Sequence, residues 1–142
     1  MTEAGRGFVE KIQSGGIMAT PIIIRIGELK LSAELNDSPS AGKLKSLLPL
    51  DISMSRWGDE YYGDCGIDVE LSQDARDVME VGEIAVWPAG KAVCIFFGPT
   101  PASRGDEPRA VSPVNPVGRL IGNSGALKKL GNSIHVRLEI SK

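Results

Sequence analysis

Ile22-Ile23-Ile24-Arg25-Ile26-Gly27-Glu28-Leu29-Lys30-Leu31-Ser32-Ala33-Glu34-Leu35 reads as two strands and the turn between them. The first run is β-branched, and such side chains are stiff at χ1 and pack well on a pleated surface. In the second, Leu29, Leu31, Ala33 and Leu35 alternate with Lys30, Ser32 and Glu34, the period of a sheet with one wet face. The two-residue link Gly27-Glu28 predicts that the runs pair as a hairpin.

Downstream the same grammar repeats. Asn36-Asp37-Ser38-Pro39-Ser40 is a turn and cap cluster, and the spacing of Leu44, Leu47 and Leu48 predicts a short helix over Ala41 to Leu48, stopped by Pro49. Strands are expected at Ile52 to Arg56, Ile67 to Leu71, Glu83 to Trp87, Ala92 to Phe97, Val117 to Ile121 and Ile134 to Ile140. Pro88-Ala89-Gly90-Lys91 is a turn-sized link that makes two of these antiparallel neighbours. A second short helix is expected at Ala126 to Leu130, ended by Gly131. Gly98 to Pro116, with five prolines and few apolar residues, reads as a long surface loop, and such loops are often functional. Trp57 to Asp64 is too polar and aromatic for a plain connector. About eight short strands and two short helices argue for a mainly β sandwich or barrel, and a barrel leaves no open edge.

Upstream, residues 1–19 are polar and Gly-rich and precede the periodic pattern, so they read as an N-terminal extension to a domain over 20–142. They are either a non-native upstream segment or an arm that packs on the barrel or a partner. Met1 to Gly16 carries Glu3, Arg6, Glu10 and Lys11 and lacks the apolar stretch of a secretory leader, so a cytoplasmic protein is expected.

With 142 residues, 42% of them hydrophobic, one core and one domain are the expectation. The 16 basic and 18 acidic residues give a formal charge of -2 and no summed positive potential for a phosphate backbone, which argues against nucleic acid. No apolar run approaches the roughly 18 residues of a membrane span. Cys65 and Cys94 have no second Cys or His at ligand spacing, so they read as reduced and buried, with neither metal nor cofactor expected.

Four blocks carry a family resemblance: Arg56-Trp57-Gly58-Asp59-Glu60-Tyr61-Tyr62, Gly82-Glu83-Ile84-Ala85-Val86-Trp87-Pro88-Ala89-Gly90, Cys94-Ile95-Phe96-Phe97-Gly98-Pro99-Thr100-Pro101 and Asn115-Pro116-Val117-Gly118-Arg119-Leu120-Ile121-Gly122. Together they resemble a family of small prokaryotic proteins with a cyclophilin-like fold, over roughly residues 20–142. The resemblance implies a closed eight-stranded barrel with two short helices at its ends. It does not supply an activity.

True isomerases of the cyclophilin type carry Phe-His-Arg, a Pro-Gly-Phe step and Gln-Gly-Gly. Laid on Met54 to Gly66, this chain keeps Arg56 and Gly66, has Tyr61 for the Phe, and has Asp64 and Cys65 for the Gln and a Gly. In such isomerases the Arg hydrogen-bonds the prolyl amide and weakens the resonance behind the ~18–20 kcal/mol rotation barrier. The resemblance would give Arg56 and Tyr61 those roles. Against it, Gly58-Asp59-Glu60 puts two carboxylates beside Arg56, where one would pair with it and compete with substrate.

Asp59, Glu60 and Asp64 could form a hard-cation or acid–base cluster, but carboxylates are mostly exposed or paired, so a solvated loop is favoured. Cys94 and Phe96 share one strand face and Val93, Ile95 and Phe97 the other, so one Phe is expected in the core and one outside. By the family's fold Phe97 is the outward pocket candidate, with core packing of both rings the alternative. Gly122-Asn123-Ser124-Gly125 lacks the Gly-Lys-Ser/Thr ending of a phosphate loop and reads as a turn and cap. His135 and Arg104-Gly105-Asp106 are assigned no role.

The functional expectation is a binding module whose groove, lined by Arg56, Tyr61, Trp87 and Phe97, receives a small anionic molecule or a proline-containing peptide, with the Pro-rich loop as one wall. The alternatives are a weak peptidyl-prolyl isomerase, which requires Arg56 free of Asp59 and Glu60, and a structural role as a homo-oligomer.

Overall fold

The computed structural model describes residues 19–141. The N-terminal extension therefore lies outside the described residues, Ala19 apart.

Strands β1 (Thr20–Ile26) and β2 (Leu29–Leu35) form the expected hairpin, with Ile26 opposite Leu29 and Gly27 at φ +58 in the turn. Ile22, Ile24, Ile26, Leu31, Ala33 and Leu35 are buried, so the alternation read from the sequence is the alternation of faces. Helix α1 (Pro39–Ser46) starts earlier than its leucines suggest, because the Ser38 hydroxyl accepts from the Ala41 amide and Pro39 fits the first turn.

The remaining strands are β3 (Leu50–Arg56), β4 (Glu60–Asp64), β5 (Arg76–Val78), β6 (Glu83–Trp87), β7 (Ala92–Phe96), β8 (Arg109–Leu120) and β9 (Ser133–Ile140). A 3-10 helix at Ser124–Lys129 precedes β9. All pairings are antiparallel, in the order β2-β1-β9-β3-β4-β7-β6-β8-β5, and β2 also pairs with β8. Eight strands thus form a ring of pairings, with the short β5 attached to β8. At the β2–β8 contact the backbones approach so closely that a Cβ on Gly118 would lie 2.2 Å from the Glu34 carbonyl oxygen.

Three expectations are corrected. Ile67 to Leu71 is not a strand. Its backbone is held by the buried Asn115 side chain, whose amide donates to the Glu70 carbonyl (2.8 Å) and Ser40 Oγ (2.9 Å) while its oxygen accepts from the Ser72 amide (2.9 Å) and hydroxyl (3.0 Å). Glu60–Asp64, read as an unusual connector, is β4. The Gly98–Pro116 stretch is loop only to Pro108, for β8 begins at Arg109 and carries Pro113 and Pro116 within it. A proline removes one donor from a ladder without barring the extended conformation.

The main core draws on every strand except β5, with α1 supplying Leu44 and the 3-10 helix Leu127. A second, smaller cluster lies on the opposite face of β6, β7 and β8, where Ala85, Cys94, Phe96, Ala110 and Val114 pack with Met79 and Trp87. Among the described residues no helix is long and apolar enough to cross a membrane.

Candidate functional site

The four residues expected to line one groove divide between the two faces. Arg56 and Tyr61 are paired across β3 and β4, and Tyr61 stacks on Phe97 with ring centroids 5.5 Å apart. The Arg56 guanidinium carbon lies 5.1 Å from the Phe97 centroid and 5.8 Å from that of Tyr61. Three of the four are therefore together, but Tyr61 and Phe97 are 0% and 1% exposed and belong to the main core. Phe96 lies on the other face of β7, in the second cluster, and is itself 0% exposed. Alternation puts the two rings on opposite faces, but both faces of β7 are buried, so both rings are core, Phe97 in the main cluster and Phe96 in the second, and Phe97 is not a pocket residue.

Arg56 is committed within the chain. Its Nε donates to the Gly58 carbonyl (2.8 Å), Nη1 to the carbonyls of Lys128 (3.1 Å) and Leu130 (2.8 Å), and Nη2 to Asp59 Oδ1 (2.9 Å). These bonds use four of the guanidinium's five donors. They tie the β3–β4 turn to the end of the 3-10 helix, where the Tyr61 hydroxyl also donates to the Gly131 carbonyl at 2.5 Å. Lys128 Nζ is 3.3 Å from the other Asp59 oxygen. The condition set for isomerase chemistry, an Arg56 free of its neighbouring carboxylates, is not met.

The turn itself is shaped by Gly58, at φ +62, where a Cβ would lie 2.8 Å from the Thr100 Cα and the Pro101 ring. The Pro-rich loop packs here, with the Asp59 amide donating to the Pro99 carbonyl. It is closed on itself: the Glu107 carboxylate accepts from the amides of Arg104 and Gly105 and from Arg109, and these bonds, that of Arg104 first, hold its pKa down to about 2.

Trp87 lies elsewhere, in a cleft of about 230 Å³ on the outer side of β4, β6, β7 and β8. Its walls are Trp57, Glu60, Tyr62, Trp87, Cys94, Ala110, Val111 and Val114. Register explains the set: Tyr62 faces Cys94 across β4–β7, and Cys94 faces Ala85 across β7–β6. The Trp87 indole donates to Ser112 Oγ at 2.7 Å, which fixes its orientation against β8.

Glu60 is the unusual member. It is 5% exposed, and its Oε1 is buried without a hydrogen-bond partner. Burial pushes its carboxyl pKa up to about 7, the Cys94 thiol opposing this in part, and burial together with the Glu60 charge pushes the thiol well above its ordinary value. A carboxyl poised near neutrality in an apolar cleft can donate or accept a hydrogen bond, or pair with a cation.

The acidic trio of the sequence is thus three separate residues. Asp59 pairs with Arg56 and Lys128, Asp64 accepts from the Gly66 amide, and Glu60 faces the cleft. No group of three or more His, Cys, Asp or Glu positioned to hold a metal occurs among the described residues. Cys94 is buried as expected, whereas Cys65 is half-buried, and both are free thiols. His135 sits on the exposed face of β9, 3.7 Å from Asp51.

A family model described as Cyclophilin-like matches residues 20–139. No curated protein matches the sequence. The solution structure of a hypothetical protein from Archaeoglobus fulgidus is similar, with 30% identity and a TM-score of 0.73, over 91% of this chain and 100% of that one.

Proposed function

The chain belongs to the cyclophilin-like family, and on that premise we propose that it is a small-ligand-binding module whose site is the cleft at Glu60. The ring of eight pairings supports reading the scaffold as a closed barrel, with the site on its outer wall. The observation that carries the functional reading is Glu60 Oε1. A buried polar atom without a partner costs the protein on the order of 1–3 kcal/mol, and it is retained here in a concave apolar wall that holds three of the chain's aromatic side chains.

This relocates the expected site from the Arg56 groove to the opposite face of β4, keeping Trp87 and replacing Tyr61 and Phe97 by Tyr62 and Glu60. It also disfavours a small anion as ligand, because the guanidinium that would hold one is spent on the chain's own acceptors.

The test is a chemical-shift titration of labelled protein with small cationic, neutral and anionic organic molecules and a short Ala-Pro peptide. Shifts at Trp57, Tyr62 and Trp87 that disappear in Ala110→Leu, which adds three carbons to the cleft wall, are the expected result. Shifts confined to Arg56 and its neighbours would return the site to the first groove. Shifts that follow protein concentration with no ligand present would favour the oligomeric role.

A further inference from the structure

The chemistry of the cleft wall narrows its ligand class. The eight lining residues include one carboxyl and one thiol and no Lys, Arg or His. Outside the cleft, Arg56 and Lys128 pair with Asp59, Arg76 with Glu83, and Arg109 with Asp77 and Glu107. Glu60 has no such partner, and its Oε1 stands buried and unbonded at 5% exposure. Around it are Trp57, Tyr62 and Trp87, three of the seven aromatic residues in the chain (2 Trp, 2 Tyr, 3 Phe).

An anion in this space would meet a carboxylate and few donors, the Trp87 indole N–H being held by Ser112. A cation would meet a carboxylate with no basic partner and several π systems, whose quadrupoles attract positive charge most strongly where water is excluded. We propose that the cleft receives an organic cation, an amine or alkylammonium group whose charge lies between the Glu60 carboxylate and the aromatic wall. This rests on the cleft being the binding site.

The proposal carries a proton linkage. Glu60 is largely neutral in the empty cleft below about pH 7, so a cation that needs the carboxylate displaces that proton. Around Glu60, β6 supplies Trp87, β8 supplies Ala110, Val111 and Val114, and the β3–β4 turn supplies Trp57, none of them titratable, while β4 itself adds the Tyr62 phenol and β7 supplies Cys94, whose thiol is held protonated by burial and the Glu60 charge. Affinity for a cation therefore rises from pH 5 to pH 8, with Glu60 as the titrating group.

Three probes of one shape isolate the charge: choline, 3,3-dimethylbutan-1-ol and 3,3-dimethylbutanoate, titrated while the Trp57 and Trp87 side-chain signals are followed at pH 8 and pH 5. Choline is expected to bind about tenfold more tightly than the neutral alcohol at pH 8, to lose most of that advantage at pH 5, and to lose it in Glu60→Gln at both pH values. Equal or tighter binding of the alcohol or the carboxylate overturns the cation assignment and leaves the cleft as the site. Saturating concentrations of all three without effect on Trp57 or Trp87 overturn the cleft itself, and with it the cation.

Discussion

Glu60 and Tyr61 are consecutive in β4 and lie on opposite faces of the sheet, the carboxyl in the wall of the outer cleft and the ring stacked on Phe97 in the main core. One peptide unit therefore separates the wall of the outer cleft from the packing of the main core.

The first prediction concerns pH. The Glu60 carboxyl is raised from 4.5 to about 7 in the folded protein, so the fold holds an extra proton between those values relative to the unfolded chain. The Glu60 contribution to stability is then greatest below the lower value, falls as pH rises through the window, and levels off above it, by up to about 3 kcal/mol. Glu60→Gln, which cannot ionise, is expected to match the wild type near pH 4.5 and to exceed it at pH 8. Urea denaturation at the two pH values measures the difference, and parallel wild-type and variant profiles would refute the assignment.

Arg56→Ala is expected to lower stability by about 2–4 kcal/mol, since it strands Asp59 and the carbonyls of Gly58, Lys128 and Leu130 and uncovers two core rings. Arg56→Lys should recover less than half of this, because an ammonium cannot span four acceptors as a planar fork does. Thermal denaturation reads both variants. Choline affinity at the cleft should remain unchanged in each.

Gly90→Ala tests the floor beneath Trp87. A Cβ there would lie 2.4 Å from the indole Cε3 and 2.5 Å from Cζ3, so the ring must shift and its bond to Ser112 must weaken. A loss of about 1–3 kcal/mol in stability is expected, with a change in Trp fluorescence and weaker binding at the cleft. Unaltered fluorescence would place the indole elsewhere.

Asn115→Leu removes four hydrogen bonds while keeping most of the volume. It leaves the Ser40 hydroxyl, the Glu70 carbonyl and the Ser72 amide without their partner, at a cost of roughly 2–4 kcal/mol. Hydrogen exchange should accelerate locally over residues 67–75 before the rest of the sheet opens.

The parts of this fold written in local pattern were legible in the sequence. The Ile22–Leu35 hairpin, the strands Glu83–Trp87 and Ala92–Phe96 and the Ser38-capped helix follow from alternation and turn chemistry, which act over a few residues. What escaped depends on distant partners. Ile67 to Leu71 has strand periodicity, yet Asn115 from β8 claims its backbone across more than forty residues of chain. The prolines of β8 hid a strand whose pairing is made by β6, β5 and β2. The candidate site is half legible: Trp87 and the other aromatic residues stand out in the sequence, whereas Glu60 lies in a polar stretch that reads as a solvated loop and is in fact β4. With β4 in hand, the alternation of Glu60, Tyr62 and Asp64 would have separated Glu60 from Tyr61.

The last described strand, β9, lies between β1 and β3, hydrogen-bonded to both. During synthesis, the first hairpin and β3 therefore leave the ribosome with facing edges unfilled, and the ring of pairings cannot form until residue 140 has emerged. Those bare edges are the ones a neighbouring nascent chain could capture, so the interval before β9 docks is when the protein is most exposed to misassembly.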